Sequence, residues 1–456
     1  MKKMKNVVIV MLVTLLIPFV SAWAEELPRW VTEWQNFAQQ SGDRLFVEFA
    51  DRLSDPSGVE LGKNWAEYQG FDAPSYVEKH DPAPEIKPGL VITNKNYKNY
   101  PGLEKLMAPG MYELMEPGAF AGLRTMTIVP TIHYYPSAGR QKYTEKYEGT
   151  CKIEDGFNLA NWKAAYPFPK IDPKDPLAGV KLMHNLDVGA TGMDDWEDNP
   201  ISYFLFGRDN KLERTHVCRL LWKYFKGRTD NEPIHGLAGT KYREKGVMIA
   251  KSPYDIAGFI GIKSRESDMT KPDDFITYVP SMRRIRRLSG SNPQDPLIGS
   301  DFTWDDWRGF WNKLSNKAYD LKAEYVGEEI RLMPARVFPV EWEGSYMNMY
   351  WEKRPFYVVD FHIGGEYTYA RQRIWIDKEL FYVAYKKIYD RKGRLWKKMY
   401  TVQCWWPESG LYDWTAAAMI DVLNRHWTGM HYSPVPHADA LPDNLFDLNF
   451  ILRRAN

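Results

Sequence analysis

The strand segments of this chain are apolar on both faces, and that restricts its fold more than any other feature. In Phe381–Tyr389, Phe381, Val383, Tyr385 and Tyr389 share one side, and Tyr382, Ala384 and Ile388 share the other. Tyr367–Ile376 sets Tyr367, Tyr369 and Trp375 against Ile374 and Ile376. A sheet wetted on one side shows a cleaner alternation of apolar and polar residues. Both faces must therefore be covered. The cover is either a second packed layer, as in a sandwich, or helices on one side and a ligand on the other, and periodicity leaves both open.

Further strand segments are read at Leu123–Tyr135, Ile201–Phe206, Arg214–Phe225, Val247–Ala250, Ala257–Ile262, Phe275–Val279, Met282–Leu288, Phe356–Phe361 and Leu395–Cys404. Gly207-Arg208-Asp209-Asn210, Asp377-Lys378-Glu379 and Asp390-Arg391-Lys392-Gly393 have hairpin chemistry. Strands joined by tight turns imply an antiparallel meander, so the fold class is mainly antiparallel β with a few helices. One helix interrupts it. Thr303 and Asp306 form a capping-box pattern, and Trp304, Trp307, Trp311 and Leu314 then share a helical face.

Upstream, Pro28 opens an amphipathic helical stretch containing Trp30, Trp34, Phe37 and Ala38. The next stretch, Gly58 to Pro109, is punctuated by Pro74, Pro82, Pro84, Pro88 and Pro101. It is expected to run extended over another surface, with a short helix near Leu103–Leu106. The first residues carry Lys2, Lys3 and Lys5, then an apolar run from Val7 to Val20, then Ser21-Ala22-Trp23-Ala24. That is the layout of a secretory signal peptide cleaved after Ala24, too short to span a bilayer. The expected organisation is a signal peptide over 1–24, an N-terminal helical and extended Pro-rich segment over 25–110, and a β domain over 111–456. The expected location is the periplasm.

Without the leader the formal charge falls from +1 to −2, which gives no reason to expect nucleic acid as a partner. With 18 Trp and 28 Tyr, much aromatic surface must fill a core or line a pocket. Cys151, Cys218 and Cys404 permit one disulfide at most and form no metal pair.

Met282–Leu288 places Arg283 and Arg287 on one strand face and Arg284 and Arg286 on the other. These guanidinium groups either contact a phosphate-like headgroup, Arg283 and Arg287 being the candidates, or pair with acids such as Asp274 or Glu366. His426, His431 and His437 do not fit a ligand pattern, and Asp194, Asp195, Glu197 and Asp198 lack calcium-loop spacing. Asp305 and Asp306, adjacent at a helix start, are expected to diverge rather than act as a glycosidase pair. No nucleophile elbow, zincin, Walker or Rossmann fingerprint is present, and no metal or cofactor is expected.

Three pieces together resemble a known family. Lys271–Leu288, with Tyr278-Val-Pro and Arg283-Arg-Ile-Arg-Arg, looks like a strand pair of LolA/LolB-like periplasmic proteins. Ile298–Trp307 (Ile-Gly-Ser-Asp-Phe-Thr-Trp-Asp-Asp-Trp) resembles their turn into a helix. Arg373–Gly393, with Trp375-Ile-Asp and Tyr389-Asp-Arg-Lys-Gly, is similar to their paired strands. Gly89–Tyr100 and Phe168–Pro176 fit one branch, domain-of-unknown-function family 1329. The resemblance implies a half-open β-barrel wrapped on a helix around an apolar cavity, and a non-enzymatic role in binding and transferring a lipid, lipoprotein or other hydrophobic molecule. It also implies work beside an RND-type exporter or an outer-membrane protein. The expected lining is Trp304, Trp307, Trp311, Tyr367, Tyr369, Trp375, Tyr382 and Tyr385, with the Trp304–Leu314 helix as a lid. The alternatives are a periplasmic hydrolase of glycans or lipids, and a structural adaptor of an envelope complex.

Overall fold

The computed structural model describes residues 26–288, 294–335, 337–338, 341–343, 346–432, 434–436 and 440–455. The expected leader and His437 lie outside them.

Four helices come first: α1 (Arg29–Ser41), α2 (Arg44–Leu53), α3 (Pro56–Gln69) and α4 (Ala73–His80). Residues three and four apart bury Trp30, Trp34 and Ala38 on α1 and Phe46, Phe49, Ala50 and Leu53 on α2. Residues 56–80 are thus helical rather than extended. Pro56 and Pro74 sit in first turns, where no backbone N–H is missed, and the Asp55 and Asp72 carboxylates cap those turns. After β1 (Val91–Thr93) the chain makes α5 (Gly102–Leu106), in the expected place. β2 (Leu123–Ile128) is shorter than the expected strand, and α6 (Ala138–Tyr147) follows it. A small hairpin, β3 (Lys152–Glu154) and β4 (Asn158–Ala160), precedes α7 (Ala178–Gly189).

The meander has two runs. The first is β5 (Asp195–Phe206), β6 (Leu212–Tyr224), β7 (Tyr242–Ser252), β8 (Ile260–Glu266), β9 (Asp274–Val279) and β10 (Arg284–Leu288). The second is β11 (Leu321–Pro334), β12 (Glu341–Glu343), β13 (Tyr346–Ile363), β14 (Arg371–Asp377), β15 (Val383–Tyr389), β16 (Leu395–Trp406), β17 (Leu411–Asp421), β18 (His426–His431) and β19 (Pro434–Pro436). Pairing of β18 with β5 fuses the runs into one sheet, ordered β11-β13-β14-β15-β16-β17-β18-β5-β6-β7-β8-β9-β10. Neighbours in that row are antiparallel, as the tight turns require. The sheet is mixed because β2 pairs in parallel with the start of β13. Among the described residues no pairing joins β11 to β10, so the sheet is unclosed. A C-terminal helix, α8 (Leu448–Ala455), contributes Leu448 and Ile451 to a smaller cluster with Val247, Ile260 and Ile262.

The helix around which the sheet wraps is α7. Every residue from Ala178 to Gly189 except Lys181 is buried. It can lie this close because it has no Cβ at the contact points. A Cβ on Gly179 would stand 2.6 Å from the Ala323 carbonyl oxygen, and one on Gly189 would stand 2.7 Å from that of Leu380. Its terminal carbonyls find donors in the sheet and α6: Arg140 donates to Val188 (2.7 Å) and Tyr412 to Gly189 (2.9 Å).

The N-terminal helices are fastened to the sheet through Glu379, in the β14–β15 connection that also meets the end of α7. Its carboxylate accepts from the backbone of Ala73 (2.7 Å) and Tyr134 (2.8 Å), from Arg354 (2.7 Å), and lies 2.6 Å from His133. Burial opposes its charge, but Arg354 and His133 outweigh it and hold the carboxyl down at about 2.

Candidate functional site

Residues 301–315 lie with α7 on the concave side of the sheet. They are not the expected helix. Trp304–Gly309 is a 3-10 turn broken by Trp307 (ψ 141°) and Arg308 (φ 56°, ψ 24°), and extended chain follows. The expected Thr303–Asp306 bond does form: the Asp306 carboxylate accepts from the Thr303 amide (3.1 Å) and hydroxyl (3.0 Å). The tryptophans do not form a stripe over a mouth. They are sunk inside, with Trp304 against Phe275 at 4.4 Å and Trp311 against Trp222 at 4.2 Å between ring centroids. Gly261 and Gly246 make room, since a Cβ there would come within 2.4 Å of Trp304 and 2.7 Å of Trp222. The segment is a plug, not a lid.

Ions pin it. Lys263 reaches Asp305 from β8, and Lys386 reaches Asp306 from β15 at 2.7 Å. Arg308 lies 3.2 Å from Glu244 on β7 and 4.2 Å from the Trp222 ring, and Lys313 is 2.9 Å from Asp273. The network continues to α7, where Arg243 holds Asp187 at 2.5 Å and Arg265 bridges Asp273 (2.8 Å) and Asp187 (3.8 Å). All these side chains are buried, so their charges persist only through each other. Burial alone would raise Asp306, but Lys386 and Lys397 keep its carboxyl below the ordinary value. Asp273 is held far lower still, against its burial, by Arg265, Lys263 and Lys313. Asp305 and Asp306 diverge as expected, one toward β8 and the other toward β15.

The remaining expected lining residues fall in three places. Tyr367 and Tyr369 meet the plug, donating to Asp305 (2.7 Å) and Asp306 (2.8 Å). Trp375 and Tyr385 are cross-strand partners on the convex face, beneath Ala108, Pro109 and Met111. Trp375 donates to Glu329 at 2.7 Å. Tyr382, at the β14–β15 connection, lies 3.0 Å from the Met333 sulfur. The expected set does not converge on one cavity. Strands apolar on both sides are covered by the protein's own chain, with α7 and the plug within and residues 108–111 without.

The arginine strand is an exposed hairpin edge. Arg283, Arg284, Arg286 and Arg287 all face solvent, and Arg287 lies 3.5 Å from Asp274. Among the described residues neither a headgroup pocket nor any pairing beyond Arg287 with Asp274 forms there. Cys151, Cys218 and Cys404 are unpaired. Among the described residues no three His, Cys, Asp or Glu side chains are placed to hold a metal, and no helix is long and apolar enough to cross a membrane.

Among the described residues two openings reach the plug and another lies against Asp187 and Arg243 of the network, all with charged walls. One of about 840 Å³ is bounded by Asp273, Asp305, Lys313, Asp320, Glu366 and Tyr367. One of about 600 Å³ lies beneath Trp162, between Lys163, Lys226 and Arg243. One of about 850 Å³ is flanked by Asp301, Lys397 and His426. The residues that sequence reasoning missed are the network cations Lys263, Arg265, Lys386 and Lys397. Their signal is a charged residue at a core-facing position of an otherwise apolar strand.

A family model described as protein of unknown function, DUF1329, matches residues 91–437. No curated protein matches the chain. Among solved structures, a DUF1329 family protein from Desulfovibrio piger is similar, with 21% identity, a TM-score of 0.45, and coverage of 60% of this chain and 99% of that one. An outer-membrane lipoprotein-sorting protein domain from Vibrio parahaemolyticus aligns at 18% identity and a TM-score of 0.42, covering 61% of this chain and 98% of its own. A LolA superfamily protein from Nitrosomonas europaea aligns at 14% identity and 0.38, covering 60% and 98%.

Proposed function

This chain belongs to the DUF1329 family, and on that premise we propose that it is a non-enzymatic binding and transfer protein for a lipid-like hydrophobic molecule, exported to the periplasm. One observation carries the reading. The concave face of an unclosed sheet is occupied by a short irregular segment presenting Trp304, Trp307, Phe310, Trp311 and Leu314, all buried. These side chains fill the volume an acyl tail would take. Displacing them exchanges one apolar occupant for another, at about 0.8 kcal/mol per buried CH₂ on either side. In the plugged state the carrier is closed.

Hydrolysis fits less well. Asp305 and Asp306 are each bound to a lysine and a tyrosine, which leaves neither carboxylate poised as a general acid. The adaptor reading draws on the same filled interior. In either role the protein would work beside an envelope machine, an RND-type exporter or an outer-membrane protein, and cross-linking in the native host with recovery of the partner tests that part.

The deciding experiment is native mass spectrometry of protein gently purified from its own periplasm, followed by solvent extraction. A stoichiometric apolar molecule is expected. Repeated recovery of empty protein, for wild type and for a plug-loosened Lys386→Met variant alike, would leave the adaptor reading in its place.

A further inference from the structure

The opening beneath Trp162 differs from the other two in the charge it leaves unneutralised. At its floor Arg243 and Asp187 cancel, since both guanidinium Nη atoms bond that carboxylate. At its rim Lys163 and Lys226 have no carboxylate partner among the described residues. Of the acids next to its lining in sequence, Glu148 pairs with Lys170, and Asp268 and Glu232 accept from Thr270 and the Ile234 amide rather than from either lysine. His235 stands at the same rim, 3.1 Å from the Tyr147 hydroxyl. Burial, with the ammonium groups of Lys146 and Lys163, holds its imidazole below the ordinary value.

The wall is built rather than incidental. The Trp162 indole donates to the Ala165 carbonyl at 2.9 Å and lies against Gly227, where a Cβ would stand 2.2 Å from the ring. Gly227 takes φ 79°, a backbone that suits glycine. The loop carrying Lys226 and His235 is tied to itself by Gly227 N–H to His235 (3.1 Å) and His235 N–H to Arg228 (3.0 Å), and by a Lys226–Gly236 bridge. Leu159, Trp162 and Met269 give the cavity an apolar side opposite its ammonium groups. A volume of about 600 Å³ is that of a small-molecule site.

We infer that this opening binds a small molecule bearing an oxyanion, a phosphate or carboxylate, on an apolar body, with Lys163 and Lys226 on the anion and Trp162 on the body. Ammonium–oxyanion hydrogen bonds are charge-assisted and need no fixed fork, which suits two lysines on flexible four-carbon stems at a rim. The site stands whether or not the plug opens.

Isothermal titration of the full mature chain at low salt tests it with four probes: decanoate, decyl phosphate, inorganic phosphate and decanol. Decanoate and decyl phosphate are expected to bind one per chain, at least tenfold tighter than decanol. A Lys163→Glu/Lys226→Glu variant is expected to weaken both at least tenfold without moving Tm, and Lys163→Ala/Lys226→Ala to do so more mildly. Inorganic phosphate binding as well as decyl phosphate would assign the site to free anions; weaker binding would assign it to amphiphile headgroups. Decanol binding equally well, or unchanged affinity in both lysine variants, would overturn the proposal. A carrier that takes only neutral molecules would show in the extraction experiment and fail here, so the two readings fall separately.

Discussion

Two segments lie on the concave face of the sheet, and different physics holds each of them. Helix α7 satisfies its own backbone, and it is seated mainly by apolar contact, close approach through Gly179 and Gly189, and donors for its last carbonyls, with Asp187 as its one tie to the ion network. The plug at 301–315 has few repeating backbone bonds. It is fixed by side chains, above all by lysines and arginines arriving from β7, β8 and β15. A helix packed by shape cannot leave without unmaking the core. A segment packed by ion pairs gains little over an apolar occupant, because desolvation offsets most of the Coulombic gain. On the proposed carrier reading, the plug is therefore the part of the interior that a ligand would replace.

The largest effect expected from breaking this comparison comes from orphaning one charge. Asp306→Asn leaves Lys386 buried without its carboxylate, and Lys263→Met leaves Asp305 buried without its ammonium. Each should cost about 3–5 kcal/mol, read by urea denaturation. The paired replacement Lys263→Met/Asp305→Leu should recover most of that loss. If it does not, the anchors are stabilising in their own right and the plug is core.

Next is the helix. Gly189→Val drives a side chain into the Leu380 and Phe381 carbonyls, at 2.7 and 2.8 Å from the first added atom. Overpacking of this kind costs about 1–3 kcal/mol, and contact with backbone puts it at the upper end. Hydrogen exchange should then rise across α7 and the strands together, whereas the plug variants should raise it at 304–311 alone.

The two segments also differ in how far the sequence disclosed them. The doubly apolar strands are legible because a strand covered on both faces carries apolar residues at odd and even positions alike, whatever covers it. The plug was misread because Trp304, Trp307 and Trp311 keep helical spacing, while the break at Arg308 (φ 56°) is imposed by Glu244 and Trp222, remote in sequence. Helix α7 was missed for the opposite reason. Buried on every side, it carries no polar stripe, and His184, Asn185 and Asp187 interrupt its apolar run to bond Phe157, Phe168 and Arg243. In α3 and α4 the prolines looked like breakers, although both begin helices. The site's cations were hidden because a lysine in a strand usually marks the wet face, and Lys263 and Lys386 lie on the dry one.

A smaller effect should appear with pH at Asp413, on β17 facing the plug. Burial raises its carboxyl from 3.8 to about 7, opposed by the Trp414 amide and by Arg308. The folded state therefore favours the protonated form. The carboxyl imposes no penalty below about 3.8, a penalty that grows as pH climbs toward 7, and a constant one above that. Asp413→Asn should leave Tm unchanged at pH 4 and raise stability at pH 8 by about 2 kcal/mol, since Asp198 shares the strain of the site. A gain at pH 4 as well would mean that shape, not charge, limits this position.

The smallest expected effect is that of salt, and it bears most directly on whether the plug is seated. A Debye length of about 8 Å at physiological ionic strength describes screening by ions moving through water. Lys263, Asp305, Lys386 and Asp306 are buried, so counterions cannot stand between them. Raising sodium chloride from low to high concentration should leave exchange at 304–311 unchanged, and should alter stability only through exposed pairs such as Arg29 with Glu78. Tryptophan emission should stay blue-shifted throughout. A plug that sampled open positions would expose its four ions to solvent, and salt would then compete for each of them. Exchange at 304–311 rising with salt, while α7 stays protected, would identify opening as a frequent event in the unliganded protein. Equal protection of both segments at every salt concentration would mean that opening waits for the ligand.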